Sequence, residues 1–266
     1  MCFSAYNDKK YGKTDIAMER IDPDKVKRPV FVLQEHYEAT DGPWHSHQRA
    51  QFIHAGEGML TVRTTTGLWV VPPQRGVWIL PGEAHKIWAS KKFLLRALYV
   101  EPSIAPVPPS CCVMSVDHLL EALFVEASTF DFSTPLEGAE QRLVQVILDR
   151  LSRLVEINSY LPTPTDTRML RLTGMLEQDP ADSRSLEELA GACGMTSRTA
   201  ARLFVKETGL TFGKWRQQLR LLKAMQSLSL GGSVTSVAAE VGYSDISAFI
   251  TVFKHAFGRT PAKYFQ

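Results

Sequence analysis

The chain has 266 residues, 44% of them apolar and 22% charged, with a net charge of +2. This is an ordinary globular composition, and no run approaches the roughly 18 apolar residues of a membrane span. Four cysteines (Cys2, Cys111, Cys112, Cys193) form no C-x-x-C pair, which argues against a disulfide framework.

Charge divides unevenly. From Arg184 to the end, 11 Lys and Arg stand against five Asp and Glu, so the remainder is net negative. Basic charge gathered in one part suits phosphate binding. The N-terminus carries Asp8, Lys9, Lys10 and Lys13 and lacks the apolar core of a signal peptide. A cytoplasmic location with no membrane partner is the expectation.

In chain order, residues 1–28 are polar and predict a loose arm. Residues 29–116 predict short strands at 30–33, 51–54, 60–63, 68–71, 77–80, 85–88 and 94–100, rich in β-branched and aromatic residues. Gly and Pro punctuate them, as at Gly56, Gly58, Gly67, Gly76 and Pro81-Gly82. Regular short strands of this kind argue for a barrel or sandwich, and a cupin-like β-barrel is the expectation carried forward.

This region holds the chain's most chemical segment. His45 and His47 alternate by two, so both imidazoles face one side of an extended chain. If the sheet closes, His85 joins them from another strand. Three imidazoles and the Gln51 side-chain oxygen make a candidate site for a divalent transition metal such as zinc, nickel, iron or manganese. Residues 42–58 and 76–85 resemble the two cupin motifs. They depart from them at Gln51, where glutamate is usual, and at Ala89, where asparagine is common. A neutral Gln lowers the expected metal affinity, and a metal-free, hydrogen-bonded histidine cluster is the alternative. His36, His54, His118 and His255 read as surface or packing residues. Trp44, Trp69, Trp78, Trp88 and Tyr99 are candidates for lining a pocket or for ordinary core packing. Arg49 and Arg96 are candidates for an anionic effector or for the surface.

From Val116 the apolar period becomes helical. Leu119, Leu120, Leu123 and Phe124 share one face, and Leu143, Val146, Ile147, Leu151, Leu154 and Val155 share the next. Residues 117–160 are therefore read as a helical dimerisation or coupling segment. Two prolines in Leu161-Pro-Thr-Pro-Thr-Asp mark residues 161–167 as a linker, and Asp166 caps a helix to about Gln178.

Residues 168–266 contain a duplication. Leu186, Leu189, Ala190 and Gly194 recur 48 residues later as Val234, Val237, Ala238 and Gly242. Phe204, Gly209, Thr211 and Trp215 recur at an offset of 49 as Phe253, Gly258, Thr260 and Tyr264. Small alanines let two helices cross closely, the first glycine of each copy gives a sharp turn, and the phenylalanine anchors a second helix. Leu221, Ala224, Met225 and Leu228 predict an amphipathic helix between the copies.

These residues, most closely 238–264, resemble the AraC/XylS family of bacterial transcription regulators. The resemblance covers about residues 165–266 and implies two helix-turn-helix units joined by a rigid helix. Helical faces leave Arg198, Thr199, Ala201 and Arg202 outward in the first copy, and Ile246, Ser247, Ile250 and Thr251 in the second. By resemblance Arg198, Ala201 and Arg202 face bases, and an Arg grips guanine through two acceptors. The second copy is weakly polar and is expected to give phosphate and methyl contacts, with Lys254, Arg259 and Lys263 as phosphate partners.

The expected fold is thus α+β and multidomain: an N-terminal cupin-like β-barrel, then helices, then an all-α double helix-turn-helix domain. The expected function is sequence-specific transcription regulation, modulated by a small-molecule effector or metal. The expected partners are double-stranded DNA, a second copy as homodimer, and RNA polymerase as a further candidate. A metal-dependent cupin enzyme with an accessory DNA-binding domain is the competing reading.

Overall fold

The computed structural model describes residues 21–72, 74–105, 108–154, 156–157 and 160–264. Most of the arm predicted over 1–28, and Val155, lie outside the described residues. After a 3-10 turn at Pro23–Lys25, the N-terminal half is built of antiparallel strands. They are β1 (Val30–Tyr37), β2 (Thr40–Asp41), β3 (Ala50–Glu57), β4 (Leu60–Thr64), β5 (Gly67–Val71), β6 (Arg75–Ile79), β7 (His85–Ala89), β8 (Phe93–Val100) and β9 (Cys112–Ser115). Two short strands, β10 (Glu156–Ile157) and β11 (Tyr160–Pro162), follow the helical pair.

The strands make two sheets, of order β1-β8-β3-β6-β9-β10 and β11-β5-β4-β7-β2, rather than one closed barrel. Each sheet keeps its own edges, and the hydrophobic residues between the sheets form a sandwich core. Phe31, Ile53, Leu60, Val62, Trp69, Val71 and Val77 meet there. Strand β8 lies between β1 and β3 and is buried along its whole length, which is why it reads as a continuous apolar run rather than an alternation.

Alternate residues of the first sheet face outward onto α1 (His118–Ala127) and α2 (Gly138–Leu151). Phe52, Trp78 and Leu98 pack there against Leu120, Phe124 and Ile147. The expected faces hold at Leu120, Leu123, Phe124, Leu143, Ile147, Leu151 and Leu154, and depart at two positions. Val144, Ile147, Leu148 and Leu151 are buried on α2, whereas Leu119 and Val146 are 53% and 44% exposed. A run of apolar residues wider than one stripe let the sequence add Leu119 and Val146 to faces they only flank.

The C-terminal part is all helical: α3 (Thr167–Gln178), α4 (Leu186–Ala192), α5 (Ser197–Thr208), α6 (Phe212–Ser229), α7 (Val234–Glu240), α8 (Ile246–Phe257) and α9 (Pro261–Tyr264). Its core gathers Leu172, Leu189, Ala190, Phe204, Trp215, Leu219, Ala238, Phe249 and Phe253. The proline-containing stretch predicted as a linker begins as strand β11 on the edge of the second sheet, where a missing N–H costs nothing. Leu161 is buried in the C-terminal core, and Trp215 Nε1 donates to Pro162 O at 2.8 Å.

The second sheet is thereby fastened to α6. Gln226 Nε2 donates to Thr61 Oγ1 at 2.8 Å, Lys91 Nζ donates to Leu230 O at 2.8 Å, and Arg63 pairs with Glu177. Four layers result: helix pair, first sheet, second sheet, C-terminal helices.

Local chemistry explains where these helices start. Ser185 and Glu188 form a reciprocal capping box on α4, and Asp245 accepts from Ser247 N and Ala248 N at the start of α8. Ser185→Ala should cost about 1 kcal/mol of stability, read as a lower urea midpoint with an unchanged slope.

Candidate functional site

Each helix-turn-helix unit is assembled as its sequence dictates. In the first, Gly194 turns the chain just past the end of α4 with a φ of +71°, which glycine adopts without strain, and Thr196 caps α5 through Thr199 N. In the second, Gly242 has φ +81° and Asp245 caps α8. Ala200, Leu203 and Phe204 bury one face of α5, and Phe249 and Phe253 bury one face of α8.

The opposite faces carry the predicted reading residues. Arg198, Ala201 and Arg202 are exposed on α5, as are Ile246, Ser247, Thr251 and Lys254 on α8. Thr199 and Ile250 are half-buried. Thr199 Oγ1 lies 3.0 Å from Thr196 Oγ1 and so belongs to the cap, while Ile250 packs against the core. Thr251 Oγ1 donates to Ser247 O at 2.8 Å, which turns that hydroxyl back to the helix. Among the described residues neither Arg198 nor Arg202 makes an ion pair, unlike Arg168 and Arg184, which are tied to Asp166 and Asp182. Lys254, Arg259 and Lys263 also lack ion pairs there.

The histidines converge at the other end of the chain. An isolated bridge joins residues 45 and 85: His45 N donates to His85 O at 2.9 Å and His85 N to His45 O at 2.8 Å. Ring centroids of His45 and His85 lie 4.3 Å apart, and those of His47 and His85 5.2 Å. One ligand atom from each of the three falls within 4.8 Å of the others.

All three rings are oriented alike. Nδ1 of His45, His47 and His85 faces the main-chain oxygen of Pro43, Arg49 and Glu83 at 3.2, 2.8 and 2.9 Å. A carbonyl only accepts, so each Nδ1 carries a proton, and Nε2 is the nitrogen each ring turns toward the cluster. Metal-binding histidines are commonly held this way. Burial, and then the neighbouring His45 and His47, push the His85 pKa down to about 4, so this ring is neutral. His85 Nε2 is buried and has no hydrogen-bond partner among the described residues. Gln51 Oε1 lies 3.2 Å from His47 Nε2, while Gln51 Nε2 donates to Tyr99 Oη at 2.8 Å. Turning the amide round would satisfy His47 without a cation, but would still leave His85 Nε2 empty-handed in the interior. The four side chains therefore fit a cation better than a purely hydrogen-bonded cluster.

Other predicted candidates have structural duties. Arg49 is buried and donates to the main-chain oxygens of Val26, Arg28 and Pro29 and to Glu101. Arg96 bonds Gln34 and Glu121. Trp69 stacks on Tyr160, Trp78 packs under the helix pair, and Trp44 is 50% exposed. His54 is buried against Phe124, its Nδ1 donating to Arg75 O. The ties between α6 and the second sheet carry no signal in the sequence, because Thr61, Gln226 and Lys91 are ordinary surface-type residues.

A sandwich bearing a histidine cluster, docked to paired helix-turn-helix units, defines a DNA-binding regulator with a sensing domain. Residues 28–151 match the family model described as an AraC-like ligand binding domain, and residues 189–266 match the helix-turn-helix domain model. The HTH-type transcriptional regulator NimR of Escherichia coli K12 is 35% identical over 88% of this chain and 86% of its own length. RipA of Corynebacterium glutamicum, also an HTH-type transcriptional regulator, is 32% identical over 51% of this chain and 40% of its own. The crystal structure of ToxT from Vibrio cholerae covers 89% of this chain and 94% of its own at 11% identity, with a TM-score of 0.39. The chain belongs to the AraC family of transcription regulators, with a ligand-binding domain and a helix-turn-helix DNA-binding domain. No helix among the described residues is long and apolar enough to cross a membrane.

Proposed function

We propose that this regulator reads duplex DNA mainly through Arg198, Ala201 and Arg202 on α5. Ile246, Ser247, Ile250 and Thr251 on α8 add contacts to thymine methyls and sugars, and Lys254, Arg259 and Lys263 to phosphates. The observation that carries this reading is the pair of exposed guanidinium groups on α5 that no acidic partner engages. Thr199 acts through the helix start rather than through a base.

The sensing domain binds a divalent transition metal at His45, His47, His85 and Gln51, and a small molecule or the metal itself alters DNA affinity. The chain acts as a regulator and not as an enzyme. The nearest acid in sequence, Glu83, accepts from the Thr65 hydroxyl at 2.8 Å, and the relative similar over most of its length is a transcriptional regulator. A second copy, covering Leu119 and Val146 on the helix pair, makes a homodimer in the cytoplasm, and RNA polymerase is its transcriptional partner. The same division of labour follows domain limits at 29–116, 117–160 and 168–266, with β10 and β11 returning the end of the middle segment to the sheets.

The test is affinity for a duplex selected from random sequence, measured with chelator, with each of zinc, nickel, iron(II) and manganese, and with a panel of small organic molecules. A coupled effector shifts affinity about 5- to 150-fold. If neither metal nor small molecule moves it, the sandwich is a dimerisation scaffold and the sensing half of this reading fails.

A further inference from the structure

The two helix-turn-helix units match in sequence, but the structure does not treat their turns alike. A Cβ added at Gly194 would meet nothing within 4 Å. At Gly242 it would come within 2.7 Å of Arg220 Nη2 and 2.9 Å of Ala181 Cα. The turn of the second unit is therefore pressed against the α3–α4 loop of the first, with the Arg220 side chain between them.

Arg220 projects from α6 and makes no ion pair among the described residues. Its donors go to main-chain oxygens on both sides of the seam. Nε donates to Pro180 O at 2.9 Å, Nη2 to Asp182 O at 3.3 Å, and Nη1 to Gly242 O at 3.1 Å. Its guanidinium also lies over the Tyr243 ring, 5.8 Å from the centroid. Arg216, one turn earlier, holds the same loop through Arg184 O at 2.9 Å. Only a planar fork of fixed donors spans three carbonyls at once; a lysine ammonium reaches one or two and leaves the others bare.

We propose that Arg220 is a positioning residue that fixes the phase between the two reading helices, and so sets the base-pair spacing this regulator accepts without touching DNA itself. The inference rests on both units binding one duplex. Two linked modules gain affinity from each other only when their geometry matches the spacing of their sites. Inserting one base pair moves the second site along and around the duplex, so a fixed seam answers sharply to spacing and a loose one does not.

The experiment compares wild type with Arg220→Lys and Arg220→Ala on the selected duplex and on versions with one or two base pairs inserted or removed between the two half-boxes. Duplexes carrying either box alone are measured beside them. Wild type is expected to lose about tenfold or more per altered base pair, a cost of about 1.4 kcal/mol. Arg220→Lys loses about tenfold at the native spacing, keeps single-box affinity, and varies less than about threefold across spacings. A lysine variant with the wild-type spacing profile, or one that weakens on single boxes as much as on the pair, overturns the inference. Amide residual dipolar couplings of the full chain read the same geometry without DNA. Those of α5 and α8 fit one alignment tensor in wild type and require two in the variants; one tensor throughout overturns the inference, whatever the alanine variant does to stability. Failure of wild type to select any duplex would instead sink the DNA-reading assignment, and the couplings separate the two outcomes.

Discussion

Arg202→Ala lowers affinity for the selected duplex by about 5- to 150-fold, the 1–3 kcal/mol by which a bidentate arginine discriminates a guanine. The expectation follows from the build of α5. Thr196 fixes its start, Ala200, Leu203 and Phe204 anchor its inner face, and the outer face is held rigidly enough to present Arg198 and Arg202 together. Neither guanidinium must break an ion pair to reach the groove, so little of the new interaction is lost to an old one. The double Arg198→Ala, Arg202→Ala protein should bind selected and scrambled duplexes almost alike. Fluorescence anisotropy on duplexes altered one base pair at a time distinguishes base reading from phosphate contact: a phosphate contact weakens all sequences equally. Tight, unaltered discrimination by the double variant would contradict the choice of reading residues.

Zinc should raise the melting temperature of the wild-type protein and leave His85→Gln unmoved. At one hundred times its dissociation constant a ligand stabilises by about 2.7 kcal/mol. His85 is the sharpest choice because its Nε2 is buried and unpaired, so a cation relieves an existing cost rather than replacing a hydrogen bond. Gln51→Glu adds a negative charge beside His47 and should tighten zinc binding, read by titration calorimetry and by elemental analysis after dialysis. Equal melting shifts for wild type and His85→Gln, or no retained metal in either Gln51 form, would leave the cluster as a hydrogen-bonded feature of the sandwich.

The repeat in the last third was legible because each of its signals is local. Capping residues, a glycine turn and a buried phenylalanine act within a dozen residues of one another, so sequence spacing is physical spacing. The histidine pair was legible for the same reason, since alternation in an extended chain puts His45 and His47 on one side. Joining them to His85 required a motif, because the bridge between residues 45 and 85 is a tertiary pairing. The sequence offered a barrel or a sandwich but not the choice between them: strand patterns give faces, not whether the edges close. β11 was hidden by Pro162 and the nearby Pro164, since a proline suits an edge strand as well as a linker. Arg49 and Arg96 looked like effector partners because a charge in a β-rich region carries no mark of the carbonyls it will meet. Arg220 drew no notice, since an arginine on an amphipathic helix ordinarily faces water.

The central claim is that two joined helix-turn-helix units grip one duplex by base reading as well as by charge. The most direct measurement is affinity for selected and scrambled duplexes over a range of salt concentrations. The account predicts that both lines fall with salt as counterions are released, while a gap of about 1000-fold or more separates them at moderate ionic strength. Coincident lines, with and without metal and candidate effectors, would contradict it.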